Sequence, residues 1–132
     1  MGRFVQIFVG LLFAVVLNAS QAQADVRLMM VEETGCPWCD RWKAQIGPIY
    51  PKTAEGRIAP LVTHMIDDPL EDGVTLNSPA VFTPTFILLN DGQEVGRIEG
   101  YQSEEFFWWF METMIKKLPK ELQKELQKDP GA

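Results

Sequence analysis

Short apolar runs alternate along the chain with polar or glycine- and proline-rich segments, a pattern that predicts strands separated by turns. The run at 26–31 has apolar residues on both alternating faces, as expected for a central strand with helices on both sides of the sheet. A second strand is predicted at 61–66. A third, at 85–89, is followed by an Asp-Gly pair, a strong hairpin signal, and by a return strand at 93–99. The pattern therefore predicts a sheet of four strands.

The first predicted helix begins near Cys36, directly after the first strand. Pro37 then lies in the first turn, where its missing N–H costs nothing. Trp42 and Ile46 lie on the same helical face as Cys39, because residues three or four apart are neighbours on a helix. We expect that face to be buried against the sheet.

Ser103 is a suitable N-cap for a second long helix, which is expected to run to about Leu118. Segment 47–60 is too rich in Pro and Gly for one element, so a helical turn and a loop are predicted there. Segment 70–80 is polar and irregular, with at most one short helix. The apolar arc of the second long helix predicts these core residues: Phe107, Phe110, Met111, Met114 and Leu118.

The chain ends differ from the predicted domain between them. Arg3 and the amino terminus precede the apolar run 4–17, and Ala22-Gln23-Ala24 follows it, so residues 1–24 are predicted to be a cleavable secretory signal peptide. The run is shorter than the roughly 20 residues that span a bilayer, and no membrane span is expected after cleavage. Residues 25–118 are expected to form one domain. Residues 119–132 are expected to be a polar tail, for which a frayed end is favoured over a marginal helix.

The composition restricts the partners and the compartment. The formal net charge is −6, which argues against nucleic acid because phosphate binding depends on clustered Lys and Arg. A signal peptide implies export, and we expect a periplasmic protein in an oxidising compartment.

The chain has two cysteines, Cys36 and Cys39, which could carry out redox chemistry, hold a metal or form a structural disulfide. A structural disulfide that closes so short a loop stabilises a fold by only about 2 kcal/mol in the loop-entropy model. Tetrahedral zinc needs four ligands, and His64 is the single histidine. We therefore favour redox chemistry, with no metal and no cofactor.

The predicted order is strand, helix, strand, irregular helical segment, hairpin and helix. The motif Gly35-Cys36-Pro37-Trp38-Cys39 lies at the first strand-to-helix junction, and Thr83-Pro84 precedes the next apolar strand. In this order of elements and in these two motifs, the segment 26–118 resembles a thioredoxin-like domain. The resemblance implies an α/β thioredoxin-like fold, with a central mixed four-stranded sheet flanked by helices. The proline-rich stretch 47–60, the run 96–101 and the aromatic helix after it are similar to periplasmic thioredoxin-like proteins of bacterial sulfur-oxidation (Sox) operons.

The helix start at Cys36 gives the two cysteines different expected roles. A thiolate is the attacking species, and free N–H groups at a helix start together with the helix dipole stabilise it. We therefore expect Cys36 to be the exposed nucleophile and Cys39 to be the buried resolving thiol. The resembled family places a buried acid six residues before the first cysteine, where this chain has Met30. Glu32 or Glu33 is the candidate proton acceptor instead.

Thr83-Pro84 is the second half of the expected site. In the resembled fold this peptide bond is cis and faces the cysteines, which leaves the Thr83 backbone free to bind an incoming chain and keeps metal away. Trp38 is expected to face solvent and to contact substrate. The expected substrate-binding residues are Pro37, Trp38, Thr83, Pro84 and Gly100.

We expect a periplasmic thiol-disulfide oxidoreductase that reduces a disulfide or a sulfur-modified cysteine on a partner protein. A membrane thiol reductant would restore the cysteine pair, and the Sox resemblance implies the sulfur-carrier protein of that pathway as partner. Two alternatives stay open: a non-catalytic thioredoxin-like interaction module, and an oxidant or isomerase of exported proteins. The direction of electron flow stays open as well, since Glu32, Glu33 and Asp40 oppose Arg41 and Lys43 near the cysteines.

Overall fold

The computed structural model describes residues 24–128, so the predicted signal peptide lies outside the described residues except for Ala24. Within 24–128, no helix is both long and apolar enough to cross a membrane. The strands are β1 (Val26–Glu32), β2 (Leu61–Met65), β3 (Thr85–Asn90) and β4 (Gln93–Glu99). They form a four-stranded sheet in the order β2-β1-β3-β4.

The sheet is mixed. Strand β1 is parallel to β2 and antiparallel to β3, and β3 is antiparallel to β4. Because β1 lies between two other strands, its backbone is paired on both edges and its apolar residues are buried on both faces. The four predicted strands are confirmed, with end points that differ by no more than one residue.

The β3–β4 hairpin forms where the Asp-Gly pair predicts it. Asp91 and Gly92 both have positive φ, 50° and 77°, as a type I′ turn requires. A Cβ atom at position 92 would overlap the backbone carbonyl of Gly73. Glycine is therefore needed at position 92 both for its backbone conformation and for this close approach.

The helices are α1 (Pro37–Gln45), α2 (Ala54–Ile58), α3 (Glu104–Ile115) and α4 (Lys120–Gln127), with a 3₁₀ turn at Tyr50–Lys52. The Ser103 side chain caps α3 by accepting a hydrogen bond from the Phe106 N–H. The expected end of α3 near Leu118 is wrong, because the last residues tighten into i to i+3 bonds after Ile115. Leu118 is nevertheless buried, as the apolar arc predicts.

One face of the sheet holds the larger core, and all four helices pack on it. Trp42 of α1, Phe86 of β3 and Phe107 of α3 form its aromatic centre, with ring centroids 5.0–5.5 Å apart. Trp42 and Phe86 are fully buried and Phe107 is 2% exposed. The helix that carries the cysteines is therefore fixed to the sheet by large rings.

The other face of the sheet carries no helix among residues 24–128, and the expectation of helices on both sides is wrong. Met29, Val31, Ile87 and Leu89 are instead covered by the irregular segment 67–82 and by partly buried neighbours on β2. Segment 70–80 is irregular, as expected, and it contains no helix. Pro69, Gly73 and Pro79 break the segment, and its few apolar residues do not recur with a helical period.

The carboxyl-terminal segment is ordered over 120–127, and the expectation of a frayed tail is wrong there. Helix α4 packs against α2, and Leu122 is partly buried against the main core. The Gln123 side-chain amide donates hydrogen bonds to the carbonyls of Lys116 and Leu118, at 3.0 and 2.6 Å. These contacts stabilise a helix whose local propensity is marginal.

Candidate active site

Cys36 and Cys39 are joined by a disulfide at the junction of β1 and α1. Cys36 is the N-cap of α1, in an extended conformation, and Pro37 opens the helix. The Cys39 backbone N–H donates a hydrogen bond to Cys36 Sγ at 3.1 Å. The predicted start of the helix at Cys36 is therefore confirmed.

Both cysteines are covered in this disulfide form, and the expectation of an exposed Cys36 is wrong for it. Cys36 is 5% exposed and Cys39 is 1% exposed. The disulfide holds the Cys36 sulfur against the first helical turn, where the Cys39 N–H contacts it. The exposure that remains is larger for Cys36 than for Cys39.

The loop that precedes β3 forms the second half of the site. The peptide bond between Thr83 and Pro84 is cis. The Pro84 carbonyl accepts a hydrogen bond from the Gly100 N–H at 2.7 Å, so the end of β4 lies beside it. These are three of the residues that the sequence suggests for substrate binding, and the structure brings them together.

Glu33 connects this loop to the cysteine-bearing segment. It follows β1 directly and lies three residues before Cys36, and its carboxylate accepts a hydrogen bond from the Thr83 hydroxyl. The two residues are 50 positions apart in sequence. Glu33 therefore holds the Thr83–Pro84 loop at the same end of the sheet as the disulfide.

Glu32, the other candidate proton acceptor, has a different partner. Its carboxylate forms an ion pair with Lys43 of α1, and the Glu32 side chain is only 14% exposed. Lys43 lies one helical turn after Cys39. The position at which the resembled family carries its buried acid is taken by Met30, which is fully buried in the core.

Exposed apolar side chains lie on both chain segments that form the site. Trp38 is 51% exposed, as predicted, and the Arg41 guanidinium carbon lies 5.6 Å from its ring centroid. Val81 and Phe82, just before Thr83, are 66% and 58% exposed. These two residues are not among the predicted site residues, although an apolar pair close before an X-Pro bond and outside the strand could have indicated them.

Tyr101 joins the loop after β4 to the helix of the cysteines. Its hydroxyl donates a hydrogen bond to Gln45 Oε1 at 2.7 Å. Burial raises the pKa of Tyr101, and the nearby Glu104 raises it further, so the hydroxyl stays protonated as the donor. Among residues 24–128, no group of three or more His, Cys, Asp or Glu side chains is placed to hold a metal ion.

Comparison with known proteins finds a family model and solved structures that are similar to this chain. A family model described as "Thioredoxin-like domain" matches residues 13–115, a range that contains every residue of the site above. The crystal structure of the periplasmic thioredoxin SoxS from Paracoccus pantotrophus, in its reduced form, is 47% identical in sequence. The match covers 70% of this chain and 97% of that chain, with a TM-score of 0.69. No curated protein matches the chain.

Proposed function

Since the chain belongs to the thioredoxin-like family and is a thiol-disulfide oxidoreductase, we propose that it works in the periplasm as a dithiol reductant of a partner protein. Cys36 is the nucleophile and Cys39 the resolving thiol. The substrate is a disulfide or a sulfur-modified cysteine on that partner.

The observation that supports these roles is the hydrogen bond from the Cys39 N–H to Cys36 Sγ. In the disulfide this sulfur is a weak acceptor. After reduction the same position holds a thiolate, for which the N–H and the positive end of the α1 dipole are favourable partners. Cys39 lies inside the helix and has no equivalent position at the helix start.

The reaction proceeds by two thiol-disulfide exchanges. The Cys36 thiolate attacks one sulfur of the partner disulfide, forms a mixed disulfide and releases the other partner sulfur as a thiolate. The Cys39 thiolate then attacks Cys36 Sγ, which forms the Cys36–Cys39 disulfide and releases the second partner thiolate. Two electrons have passed to the partner, and a membrane dithiol reductant restores the pair by the reverse exchange.

Glu32 is the better candidate for proton acceptor from Cys39. Its side chain is mostly covered and is paired with Lys43, which lies on the same helix as Cys39 and one turn further along. Glu33 is engaged by Thr83, and we assign it to holding the substrate loop.

The substrate chain is assigned to the surface between Trp38 and the Thr83–Pro84 loop. Trp38 offers an exposed ring beside the disulfide. The Thr83 side chain is held by Glu33, so its backbone groups are the ones proposed to pair with an extended partner segment. Pro37 and Gly100 border the same surface.

The similarity supports a periplasmic location, and the partner is proposed from the resemblance to proteins of Sox operons. The 47% identical neighbour is a periplasmic thioredoxin, and the predicted signal peptide agrees with export. We therefore propose residues 1–24 as that signal and the sulfur-carrier protein of a bacterial sulfur-oxidation pathway as the partner.

A trapping experiment tests the assignment. Cys39→Ser leaves Cys36 without its resolving thiol, so the variant should accumulate a covalent complex with the partner that dithiothreitol releases. The matched control, Cys36→Ser, should capture nothing. Failure of Cys39→Ser to capture any protein would favour a non-catalytic interaction module.

The reduction potential tests the direction of electron flow. We expect the Cys36–Cys39 pair to have a value near about −270 mV, as in thioredoxin, rather than near about −120 mV, as in the oxidant DsbA. Equilibration with glutathione or dithiothreitol buffers, followed by alkylation of free thiols, gives this value. A result near the higher potential would indicate an oxidant of exported proteins.

A further inference from the structure

The helix-free face of the sheet contains an open groove of about 340 Å³. Its floor is apolar and consists of Val31, Ile66, Leu76 and Ala80, with His64 and Asp68 at the rim. The groove exists because the irregular segment 67–82, rather than a helix, crosses this face. It is separated by the sheet from the core that supports the cysteines.

The groove lies at the same end of the sheet as the disulfide. Val31 pairs with His64 on one side and with Thr85 on the other. Glu33, two residues after Val31, holds Thr83. The groove therefore lies next to the loop to which substrate binding is assigned.

An exposed apolar path connects the groove to that loop. Between Ala80 in the groove and Thr83 lie only Val81 and Phe82, whose side chains are 66% and 58% exposed. Nothing else in segment 67–82 exposes two adjacent large apolar side chains to this extent. A partner chain that passes Thr83 can remain on apolar surface until it reaches the groove.

One acidic residue lines the groove. Asp68 is exposed there, and no Lys or Arg is among the lining residues. Two arginines that contact segment 67–82 are already paired with carboxylates. Arg27 pairs with Glu71 and Asp25. Arg97 contacts the backbone of segment 78–79, but its charge is paired with Glu94 and, more distantly, Glu99. The groove mouth therefore favours a cationic side chain near the apolar one.

We propose that this groove is a specificity subsite for the partner segment that carries the reacting cysteine. It binds an apolar side chain of that segment, and an adjacent Lys or Arg of the segment pairs with Asp68. Ala80 lies three residues before Thr83, so we place the apolar residue three or four positions from the cysteine in an extended partner segment that pairs with Thr83. The inference deepens the proposed function and rests on it.

Disulfide-containing peptides test the subsite in the full protein. Each peptide has Leu or Ser at the third or fourth position from its cysteine and Lys or Glu beside that position, and the measurement is kcat/KM for reduction. Wild-type protein should reduce the Leu-Lys peptide about tenfold faster than the Ser-Glu peptide, the size expected for burial of one apolar side chain with a favourable charge.

Two variants remove the preference in different ways. Asn77 also lines the groove, so Asn77→Trp places a large ring in it, and Asp68→Lys reverses the charge at its rim. Each variant should reduce the tenfold ratio to about twofold or less. Glu121→Lys on α4, the matched control, makes the same charge change on the opposite face and should keep the ratio. Reduction of the small disulfide dithionitrobenzoate should be equal in all four proteins, which also shows that the variants are folded.

The outcomes separate the two proposals. Equal reduction of all peptides by wild-type protein, or an unchanged preference in both groove variants, would overturn the subsite while normal turnover of the small disulfide leaves the proposed function standing. Absence of turnover for the small disulfide and the peptides alike would overturn both.

Discussion

Truncation of Phe107 is expected to destabilise the helical face strongly. This ring is 2% exposed and contacts other rings on several sides, with centroid distances of 5.5 Å to Trp42, 5.1 Å to Phe86 and 5.1 Å to Trp108. Replacing a buried Phe by Ala costs about 3–5 kcal/mol, a range that already includes the lost ring contacts, and three ring pairs place Phe107 in its upper half. We therefore expect Phe107→Ala to lower the free energy of unfolding by about 4–5 kcal/mol.

The chain offers a matched control one residue away. Phe106 lies on the same helix but is 52% exposed, so Phe106→Ala should lower the free energy of unfolding by less than about 1 kcal/mol. Urea unfolding of the disulfide form measures both variants, and a constant m-value shows that the denatured state is unchanged. Phe107→Leu, which keeps most of the volume, should lie between them and remain folded if the alanine variant does not.

Phe107→Ala should affect the reactivity of the cysteine pair as well as the stability of the fold. Phe107 packs on Trp42, and Trp42 lies on the buried face of α1 with Cys39. A void at Phe107 should loosen α1 and slow the reduction of protein disulfides at temperatures where the fold persists. Equal loss of stability in Phe106→Ala and Phe107→Ala would refute the assignment of the aromatic cluster as the anchor of α1.

Three further changes have specific expected results. Thr83→Val removes the hydroxyl that Glu33 binds, so KM for a protein disulfide should rise roughly threefold while turnover of a small disulfide is unchanged, and Thr113→Val on the surface of α3 is the control. Gly92→Ala should lower the free energy of unfolding, measured by urea denaturation, by about 2 kcal/mol or more. The reasons are the positive φ at Gly92 and the backbone carbonyl of Gly73, which lies where the new Cβ atom would be. Hydrogen bonds from Arg97 lower the pKa of Glu94 in the folded protein below its usual 4.5. The Glu94–Arg97 pair therefore stabilises the fold above pH 4.5, and this stabilisation is lost as the pH falls through the lowered pKa of Glu94. The difference in unfolding free energy between wild type and Glu94→Gln should therefore be largest near neutral pH and should shrink in acid, and a difference that grows in acid would contradict the pairing.

Local signals predicted the elements that local chemistry determines. The Asp-Gly pair fixed the β3–β4 hairpin, and Cys36 followed by Pro37 fixed the start of α1. In both places the backbone conformation follows from one or two residues, whatever packs around them. The same holds for Ser103, whose side chain caps α3 as predicted.

Contacts between distant segments were not predictable in the same way. The Glu33–Thr83 hydrogen bond joins residues 50 positions apart, and no local pattern pairs them. Helix α4 was expected to fray because its propensity is marginal, yet Gln123 binds carbonyls at the end of α3. The alternating apolar residues of β1 correctly predicted burial on both faces, but burial does not specify whether a helix or an irregular segment supplies the cover.

The cysteines and the Thr83–Pro84 loop, the two halves of the site, are supported by the structure in different ways. The reacting sulfurs lie on α1, which large buried rings hold in place, and thiol exchange requires such fixed geometry because attack occurs along the axis of the sulfur–sulfur bond. The Thr83–Pro84 loop continues from a segment with no helix, and its neighbours Val81 and Phe82 are exposed. Loops on a rigid scaffold tolerate changes in sequence more readily than packed elements. Substitutions in segment 67–82 can therefore alter the choice of partner without moving the cysteines. Such substitutions should change KM for a protein disulfide far more than kcat.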